Sequence, residues 1–427
     1  MVGARGRREA PAHIMVPRLI LLLSVLALML VGFVMIYSTS SVIELSTAKS
    51  VAEADPMADV VKQMLFAAVG TVLAVVVWKF VPVSVWRGNL VWVVCVVAFG
   101  LLLATSFSGA GGDDWGAQRW LVVGPFSLQP SEFAKIAFVL VTARLLCDFR
   151  EGAYSFKTFV GLVFACVLLP LLMILGLQSD LGTAMICVVG ILTVMWLGEV
   201  PMRTMAVTVG GVVAVGLVGI LFKSYRLARL MVFLDPWNDG ANGQGTGYQL
   251  IHSLYALASG GLFGVGVGNS HEKYLYLTQS DTDFIFAIIG EELGLVGALA
   301  VVVLFLLFLY AGMRIARSAA DSFGAMVAGG FTVMIAFQAF LNIAMVIGWF
   351  PVVGKPLPFV SSGGSALLAM LIMVGLILSV SQEADAPSVY ERRRADLRVV
   401  RASGDPAPAR GAAGRRAGGP ARSRTRR

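Results

Sequence analysis

The chain alternates long apolar runs with short polar connections, a pattern typical of a protein that crosses a membrane many times. Most runs approach the roughly 20 residues that a helix needs to cross the hydrocarbon core of a bilayer. Ten membrane-spanning helices are predicted, at residues 17–38, 58–79, 88–107, 130–147, 157–175, 182–198, 204–222, 283–311, 322–348 and 364–382. The predicted fold class is therefore an all-α polytopic membrane protein.

Basic residues mark one side of the membrane. The connections at that side carry Arg87, Arg150, Arg203, Arg314 and Arg317. Because Lys and Arg favour the cytoplasmic side, both termini are predicted in the cytoplasm. The opposite side then holds one large extracytoplasmic loop, residues 223–282.

The first apolar run, which follows four arginines, has a competing interpretation as a cleaved signal peptide. The run is too long for a signal peptide, and no small-residue cleavage site follows it cleanly. It is therefore predicted to be the first spanning helix.

Composition supports the membrane assignment. Hydrophobic residues make up 58% of the chain, charged residues 14%, and the mean hydropathy is +0.83, which excludes a soluble globular protein. The four cysteines and three histidines lack the spacing of a disulfide framework or a zinc site. No organic cofactor is predicted.

Three segments follow from these patterns: a cytoplasmic N-terminal segment 1–16, a membrane domain 17–382 and a basic tail 383–427. Beyond residue 385 the tail has twelve arginines and three acids, so it accounts for the formal net charge of +8. Its composition predicts disorder. Attraction to anionic lipid and docking of a partner are both open roles for it, and the basicity gives no reason to expect nucleic-acid binding.

The outer loop contains several distinct patterns. Residues 225–234 are amphipathic and suit a helix lying at the membrane interface, and residues 248–261 predict a second helix. Gly264, Gly266 and Gly268 lack the strand and spacing of a nucleotide-binding loop. They predict a bent loop that allows close approach of backbone. A further stretch, 349–363, is rich in proline and glycine and predicts irregular backbone near membrane depth.

Charged residues cluster at the predicted outer face. Glu132 and Lys135 are three residues apart on one helix face and could pair within the membrane, while Glu132 also suits the first turn of a helix. Asp180 and Thr183 are ordinary helix-capping choices. Arg226 and Arg229 oppose the charge bias of this side, so they could bind a phosphate or reach lipid phosphate by snorkelling.

Asp283 stands where the outer loop meets an apolar run, and a carboxylate there is costly to hold. It could be a simple helix N-cap. It could also be a general base that deprotonates a sugar hydroxyl. A third possibility is a divalent cation, Mg²⁺ or Mn²⁺, held by Asp283 and Asp281 against a pyrophosphate.

Several motifs in a fixed order resemble the SEDS family of cell-wall polymerases, the FtsW/RodA proteins. The resemblance covers residues 17–382 and is strongest at 129–135, 178–184, 235–249, 259–264, 282–287, 291–294 and 356–365. Within the family, the motifs at 247–256 and 290–294 resemble the division-type FtsW branch more than the elongation-type RodA branch.

The resemblance implies a glycosyltransferase that polymerises lipid II, the undecaprenyl-pyrophosphoryl disaccharide-pentapeptide, into β-1,4 glycan strands outside the cell membrane. Its expected partners are a class B penicillin-binding transpeptidase and other membrane proteins of the division machinery, and its expected place is the division septum. Asp283 matches the family's essential acid. The residues predicted to bind substrate are Arg119, Glu132, Lys135, Asp180, Arg226, Arg229, Lys355, Ser361 and Ser362.

One departure from the family bears on the site. Asp281 stands where relatives carry a histidine, so a second acid lies two residues from Asp283. A neighbouring acid could raise the pKa of one carboxyl group or strengthen a cation site. Three alternative functions stay open: a lipid II flippase, an elongation-type polymerase and a non-catalytic scaffold of the division machinery.

Overall fold

The computed structural model describes residues 12–47, 55–108, 119–123, 126–221, 224–239, 241 and 243–383. Most of the N-terminal segment and, apart from Glu383, the basic tail lie outside the described residues. The predictions of disorder and of lipid or partner contact in the tail therefore stay predictions.

The described residues are almost entirely helical. Their helices are α1 (Ala12–Thr47), α2 (Ala58–Phe80), α3 (Val83–Val85), α4 (Val91–Ser108), α5 (Pro130–Arg150), α6 (Phe156–Val163), α7 (Leu169–Gly176), α8 (Leu181–Leu197), α9 (Met202–Leu221), α10 (Ser224–Leu234), α11 (Tyr248–Gly260), α12 (Ile285–Arg317), α13 (Ser322–Val346) and α14 (Gly364–Gln382). Turns of π-helix at Trp86–Leu90 and Phe164–Leu168 join α3 to α4 and α6 to α7.

A helix occupies each of the ten predicted membrane-spanning positions. Among the described residues, eight spans are long and apolar enough to cross a membrane. Of the other two, α8 has only 17 residues, and α5 carries charged residues in its first and last turns. The all-α polytopic membrane fold is thus confirmed.

The core of the bundle surrounds the charged helix α5. Nearly every residue from Pro130 to Asp148 is buried, and α13 and α14 are mostly buried as well. By contrast, α9 lies at the periphery, with no buried residue in its apolar window. Burial on all faces explains why α5 holds charges, since they can pair within protein instead of facing lipid.

The two helices predicted for the outer loop are present as α10 and α11. A small feature was not predicted: β1 (Leu121–Val123) pairs antiparallel with β2 (Phe126–Leu128) just before α5. Residues 349–363 form no helix or strand, as predicted.

The predicted helix 283–311 differs from the structure at both ends and in the middle. It begins at Ile285, continues to Arg317, and is broken at Gly294, where φ is +68°. The break frees backbone groups that loop 261–266 then satisfies. Val265 and Gly266 N–H donate to the carbonyls of Glu291 and Glu292, and Leu295 and Val296 N–H donate to Gly261 and Leu262.

The glycine-rich loop therefore serves close backbone packing, as predicted. Gly264 has φ of +81°, and a Cβ there would collide with the Glu292 carbonyl. Buried side chains reinforce the same junction, because Lys273 Nζ lies 3.0 Å from Glu292 Oε1 and donates to Ser38 Oγ at 2.9 Å. The outer loop and the broken helix form one hydrogen-bonded unit.

A matched pair of glycine variants tests this junction. Gly268 also has positive φ, +87°, but a Cβ there would meet open space. We expect Gly264→Ala to lower the melting temperature of the purified protein much more than Gly268→Ala, because both add backbone strain of about 1–2 kcal/mol but only the first adds a clash. Equal melting temperatures for the two variants would show that the close approach is unimportant.

Candidate functional site

Asp283 lies in the last turn of the outer loop, directly before α12. The N-cap of α12 is Phe284, and no side chain caps this helix end. The interpretation of Asp283 as a helix N-cap is therefore wrong. The costly carboxylate needs another reason to be there.

The backbone around Asp283 is held from the adjacent helix and loop. Asn342 Nδ2 donates to the Asp283 carbonyl at 2.7 Å. Ser361 Oγ donates to the Thr282 carbonyl at 2.5 Å, and Ser362 N–H donates to the Asp281 carbonyl at 3.0 Å. Three successive carbonyls are thus fixed, although the segment belongs to neither a helix nor a strand.

The side chain of Asp283 is partly exposed and unengaged. Within the part of the chain that the structure describes, no hydrogen bond or ion pair involves its carboxylate. It faces the backbone of Gly354, where a Cβ would lie 3.2 Å from Asp283 Oδ2. Gly354 has φ of +64°, so this close approach suits glycine.

The charge state of Asp283 is finely balanced. Burial raises its pKa to about 6, although Lys355 and Arg229 act to lower it and Asp281 and Asp180 act to raise it. A carboxyl group with such a pKa is mostly ionised at neutral pH, yet it is a better proton acceptor than an ordinary aspartate.

A buried network of charges lies behind this site. Lys355 Nζ pairs with Asp180 Oδ2 at 2.7 Å, and Lys135 Nζ pairs with Glu132 Oε2 at 2.6 Å. The two pairs are neighbours, since Lys355 Nζ lies 4.0 Å from Glu132 Oε1. The predicted intramembrane pair of Glu132 and Lys135 is therefore present. All four side chains are buried, so in this structure they are closed off from solvent.

Asp180 has two structural roles at once. It caps α8, as predicted, by accepting from Thr183 N–H at 3.0 Å, and it also accepts from Lys355. Burial alone would raise its pKa, but Lys355, Arg119 and these hydrogen bonds outweigh burial and hold the pKa at about 2. Gly182 makes room for this contact, since a Cβ there would lie 2.7 Å from Lys355 Cγ.

The predicted arginines take different positions. Arg119 donates to the carbonyls of Gln178 and Ser179, both at 2.9 Å, and so fixes the turn before α8. Arg229 is exposed on α10 and donates to the Val352 carbonyl at 3.0 Å. The side chain of Arg226 lies outside the described residues. Substrate binding by these residues stays a prediction.

A polar cleft of about 140 Å³ opens beside Ser362, whose N–H holds Asp281. Its lining includes Lys62, Gln63 and Trp120, together with the residues at the start of α14. Gln63 anchors that start, since it donates to the Ser361 carbonyl at 3.1 Å. The cleft combines one cation, one acid (Asp59), aromatic rings and hydroxyl groups, a set of contacts suited to the hydroxyl groups and rings of a sugar.

The predicted cation site has two carboxylates at most. No cluster of three or more His, Cys, Asp or Glu side chains that could hold a metal ion occurs in the described residues. Mg²⁺ is commonly bound by one or two carboxylates together with substrate phosphates. Two carboxylates match that ligand number but do not form an all-protein cage, and the cation at Asp281 and Asp283 stays a prediction.

Sequence reasoning missed the polar residues of α13. Gln338 accepts from Lys135 Nζ at 2.8 Å and donates to the Pro356 carbonyl at 3.0 Å, while Asn342 binds the Asp283 segment. The signal was available, because two amides four residues apart in an apolar helix share a face.

Asp239 was also missed as an anchor. It accepts four backbone N–H groups of the glycine-rich stretch, which hold its pKa at about 2.

Comparison with known proteins identifies the family to which this chain belongs. A family profile described as "Cell cycle protein", that of FtsW, RodA and SpoVE, matches residues 18–386. The chain belongs to this family. The SEDS resemblance inferred from the motifs is thereby confirmed.

Curated members of the SEDS family match along most of the chain. "Stage V sporulation protein E" of Bacillus subtilis is 39% identical over 86% of this chain and 97% of its own. "Probable peptidoglycan glycosyltransferase FtsW" of Trichlorobacter lovleyi is 38% identical over 85% of this chain and 92% of its own.

Solved structures agree with the fold. A chain from a study of "Structural coordination of polymerization and crosslinking by a peptidoglycan synthase complex" has a TM-score of 0.65 at 25% identity, covering 86% of this chain and 97% of that one. The rod shape determining protein RodA of Thermus thermophilus has a TM-score of 0.60 at 26% identity, covering 86% and 96%.

Proposed function

We propose that this SEDS protein is a peptidoglycan glycosyltransferase that polymerises lipid II into β-1,4 glycan strands outside the cell membrane. One observation carries the proposal: Asp283 presents a carboxylate without a hydrogen bond or ion pair among the described residues, in a partly exposed site whose backbone Asn342 and Ser361 fix. Curated relatives named as peptidoglycan glycosyltransferases support the reaction class.

In the proposed reaction, a sugar hydroxyl of one lipid-linked unit attacks the anomeric carbon of another. The new glycosidic bond forms as the bond from that carbon to the pyrophosphate breaks, and undecaprenyl diphosphate leaves. Asp283 Oδ takes the hydroxyl proton as general base. Its backbone is fixed by Asn342 and Ser361, so the carboxylate is positioned before substrate arrives.

Two further groups favour departure of the pyrophosphate. Arg229, exposed on the interfacial helix α10, would meet an anionic group of the substrate. In the other role predicted for Asp283, it would hold a divalent cation, Mg²⁺ or Mn²⁺, together with Asp281 in place of taking the proton, and that cation would neutralise charge on the pyrophosphate. Lys355 contributes from behind through its field on Asp283, since its ammonium group is occupied by Asp180.

We further propose a role at the division septum, together with a class B penicillin-binding transpeptidase and other membrane proteins of the division machinery. The FtsW names of relatives that are 33–38% identical favour division over elongation. A structural neighbour that comes from a complex coordinating polymerization and crosslinking favours a crosslinking partner. Both termini are expected in the cytoplasm on the charge pattern described above.

The decisive experiment supplies purified lipid II to the purified protein, with and without its transpeptidase, and measures glycan length by gel electrophoresis. Glycan strands longer than the disaccharide support the proposal. Passage of fluorescent lipid II across reconstituted vesicles without lengthening would instead establish a flippase. Absence of both activities with the partner present would favour a scaffold.

The pH dependence of polymerisation is a separate prediction. Because general-base catalysis needs ionised Asp283, whose pKa burial raises to about 6, the rate should fall as pH drops through about 6. The rate of lipid II consumption is to be measured across that range at constant ionic strength, with the melting temperature followed in parallel. A rate that does not change through this range would contradict the assignment of Asp283 as base.

A further inference from the structure

One buried side chain that was not predicted as a site residue contacts both the Asp283 segment and loop 349–363. Asn342, on α13, is fully buried. Its Nδ2 donates to the Asp283 carbonyl at 2.7 Å and to the Lys355 carbonyl at 2.7 Å. An amide nitrogen carries two hydrogens, so each carbonyl can receive its own hydrogen bond. Asn342 thus bridges the end of the outer loop and the irregular loop 349–363.

The Asp283 carbonyl needs this outside donor. The hydrogen bonds of α12 begin one residue later, where Ala287 N–H donates to the Phe284 carbonyl at 2.9 Å. Asp283 therefore lies at the edge of the helix without being held by its ladder. Asn342 supplies the donor that the helix does not, and with Ser361 and Ser362 it fixes where this segment lies.

The orientation of the amide is fixed by the same contacts. A flipped amide would place Oδ1 against two carbonyl oxygens, which repel it. In the present orientation Oδ1 is buried and has no hydrogen-bond partner among the described residues. A buried polar atom left without a partner is unfavourable for stability. The Asn342 amide is thus oriented so that its nitrogen donates to both carbonyls, although its oxygen is left unpaired and this lowers stability.

We propose that Asn342 is a positioning residue for glycosyl transfer, acting by fixing the peptide of Asp283 relative to that of Lys355. It does not touch substrate. It keeps the carboxylate of Asp283 and the buried ammonium group of Lys355 at a constant separation while the substrate enters the cleft. This inference rests on the proposed function.

The test compares two variants of Asn342 in the full-length protein supplied with purified lipid II. Asn342→Asp keeps the size of the side chain but replaces the donor with an oxygen, whereas Asn342→Ser is smaller and keeps one donor. We expect kcat of Asn342→Asp to fall by about 100-fold, with KM nearly unchanged. Asn342→Ser should recover about tenfold of that loss, although its smaller side chain packs less well.

Thr332→Val is the matched control for loss of a buried polar group on α13. Among the described residues, the Thr332 hydroxyl bonds only within its own helix, to the Ala328 carbonyl at 2.7 Å. Its kcat should equal that of the wild type. Melting temperatures measured in parallel separate positioning from stability, because a kcat that falls at an unchanged melting temperature does not come from unfolding.

Three outcomes overturn the inference. The first is a wild-type kcat in Asn342→Asp, and the second is a loss of kcat in Thr332→Val equal to that in Asn342→Asp. The third is that kcat follows the melting temperature in every variant and does not recover in Asn342→Ser. If Asn342→Asp does not fold, Asn342→Ser decides alone: a reduced kcat at an unchanged melting temperature supports the inference, and a wild-type kcat overturns it. A wild-type protein that makes no glycan with its partner would overturn the proposed function instead.

Discussion

Asp283→Asn will insert and fold as the wild type does, yet its rate of glycan synthesis from lipid II will fall by about 10²–10⁴-fold, to the point where no strands are detected. Asparagine has nearly the same shape but cannot take a proton. Folding should be unaffected because the Asp283 carboxylate has no hydrogen bond to lose within the described residues. Purified variant protein, lipid II and gel electrophoresis are sufficient for the measurement.

Asp235→Asn is the control for the change of charge. Asp235 is an exposed acid at the end of α10 in the same outer loop, so its neutral variant should retain the wild-type rate. Asp281→Asn is informative as well. If the two acids share a cation, its rate should depend more strongly on Mg²⁺ concentration. Polymerisation retained by Asp283→Asn would refute the catalytic assignment.

Lys355→Met will destabilise the protein by about 3–5 kcal/mol, because it leaves the Asp180 carboxylate buried without its cation. The side chain of Lys355 is 3% exposed and that of Asp180 is 1% exposed, so water cannot replace the lost partner. The expected result is a much lower melting temperature in thermal unfolding of the detergent-solubilised protein.

The double variant Lys355→Met with Asp180→Asn supplies the control. Asparagine caps helices about as well as aspartate, so α8 keeps its N-cap while the uncompensated charge is removed. Much of the lost melting temperature should return. A double variant as unstable as Lys355→Met would mean that packing of the lysine stem against Gly182, and not the ion pair, stabilises this region.

The sequence predicted the membrane-spanning helices well, because most of them are long apolar segments that can be recognised without tertiary information. It also predicted the pair of Glu132 and Lys135, which are neighbours on one helix face. The break in α12 was missed. Gly294 lies within a continuous apolar run. The backbone groups freed by a break there find hydrogen-bond partners because loop 261–266 lies against the helix.

Only part of the site was predicted, because some of its contacts join segments that are distant in the sequence. Asp283 is identifiable as a costly acid at the end of an apolar run, and family motifs add the surrounding charges. Which charges face the cleft could not be predicted, since Lys355 reaches Asp180 across 175 positions of sequence. The bridge from Asn342 likewise joins segments that meet only in the folded bundle.

The junction between the outer loop and α12 has a consequence for biogenesis. Its four backbone hydrogen bonds join residues only 26 or 34 positions apart, and the loop leaves the ribosome before the helix that it completes. Contacts so close in sequence form quickly. The segment from α11 through α12 can therefore assemble as a hairpin during insertion, before α13 and α14 have been synthesised.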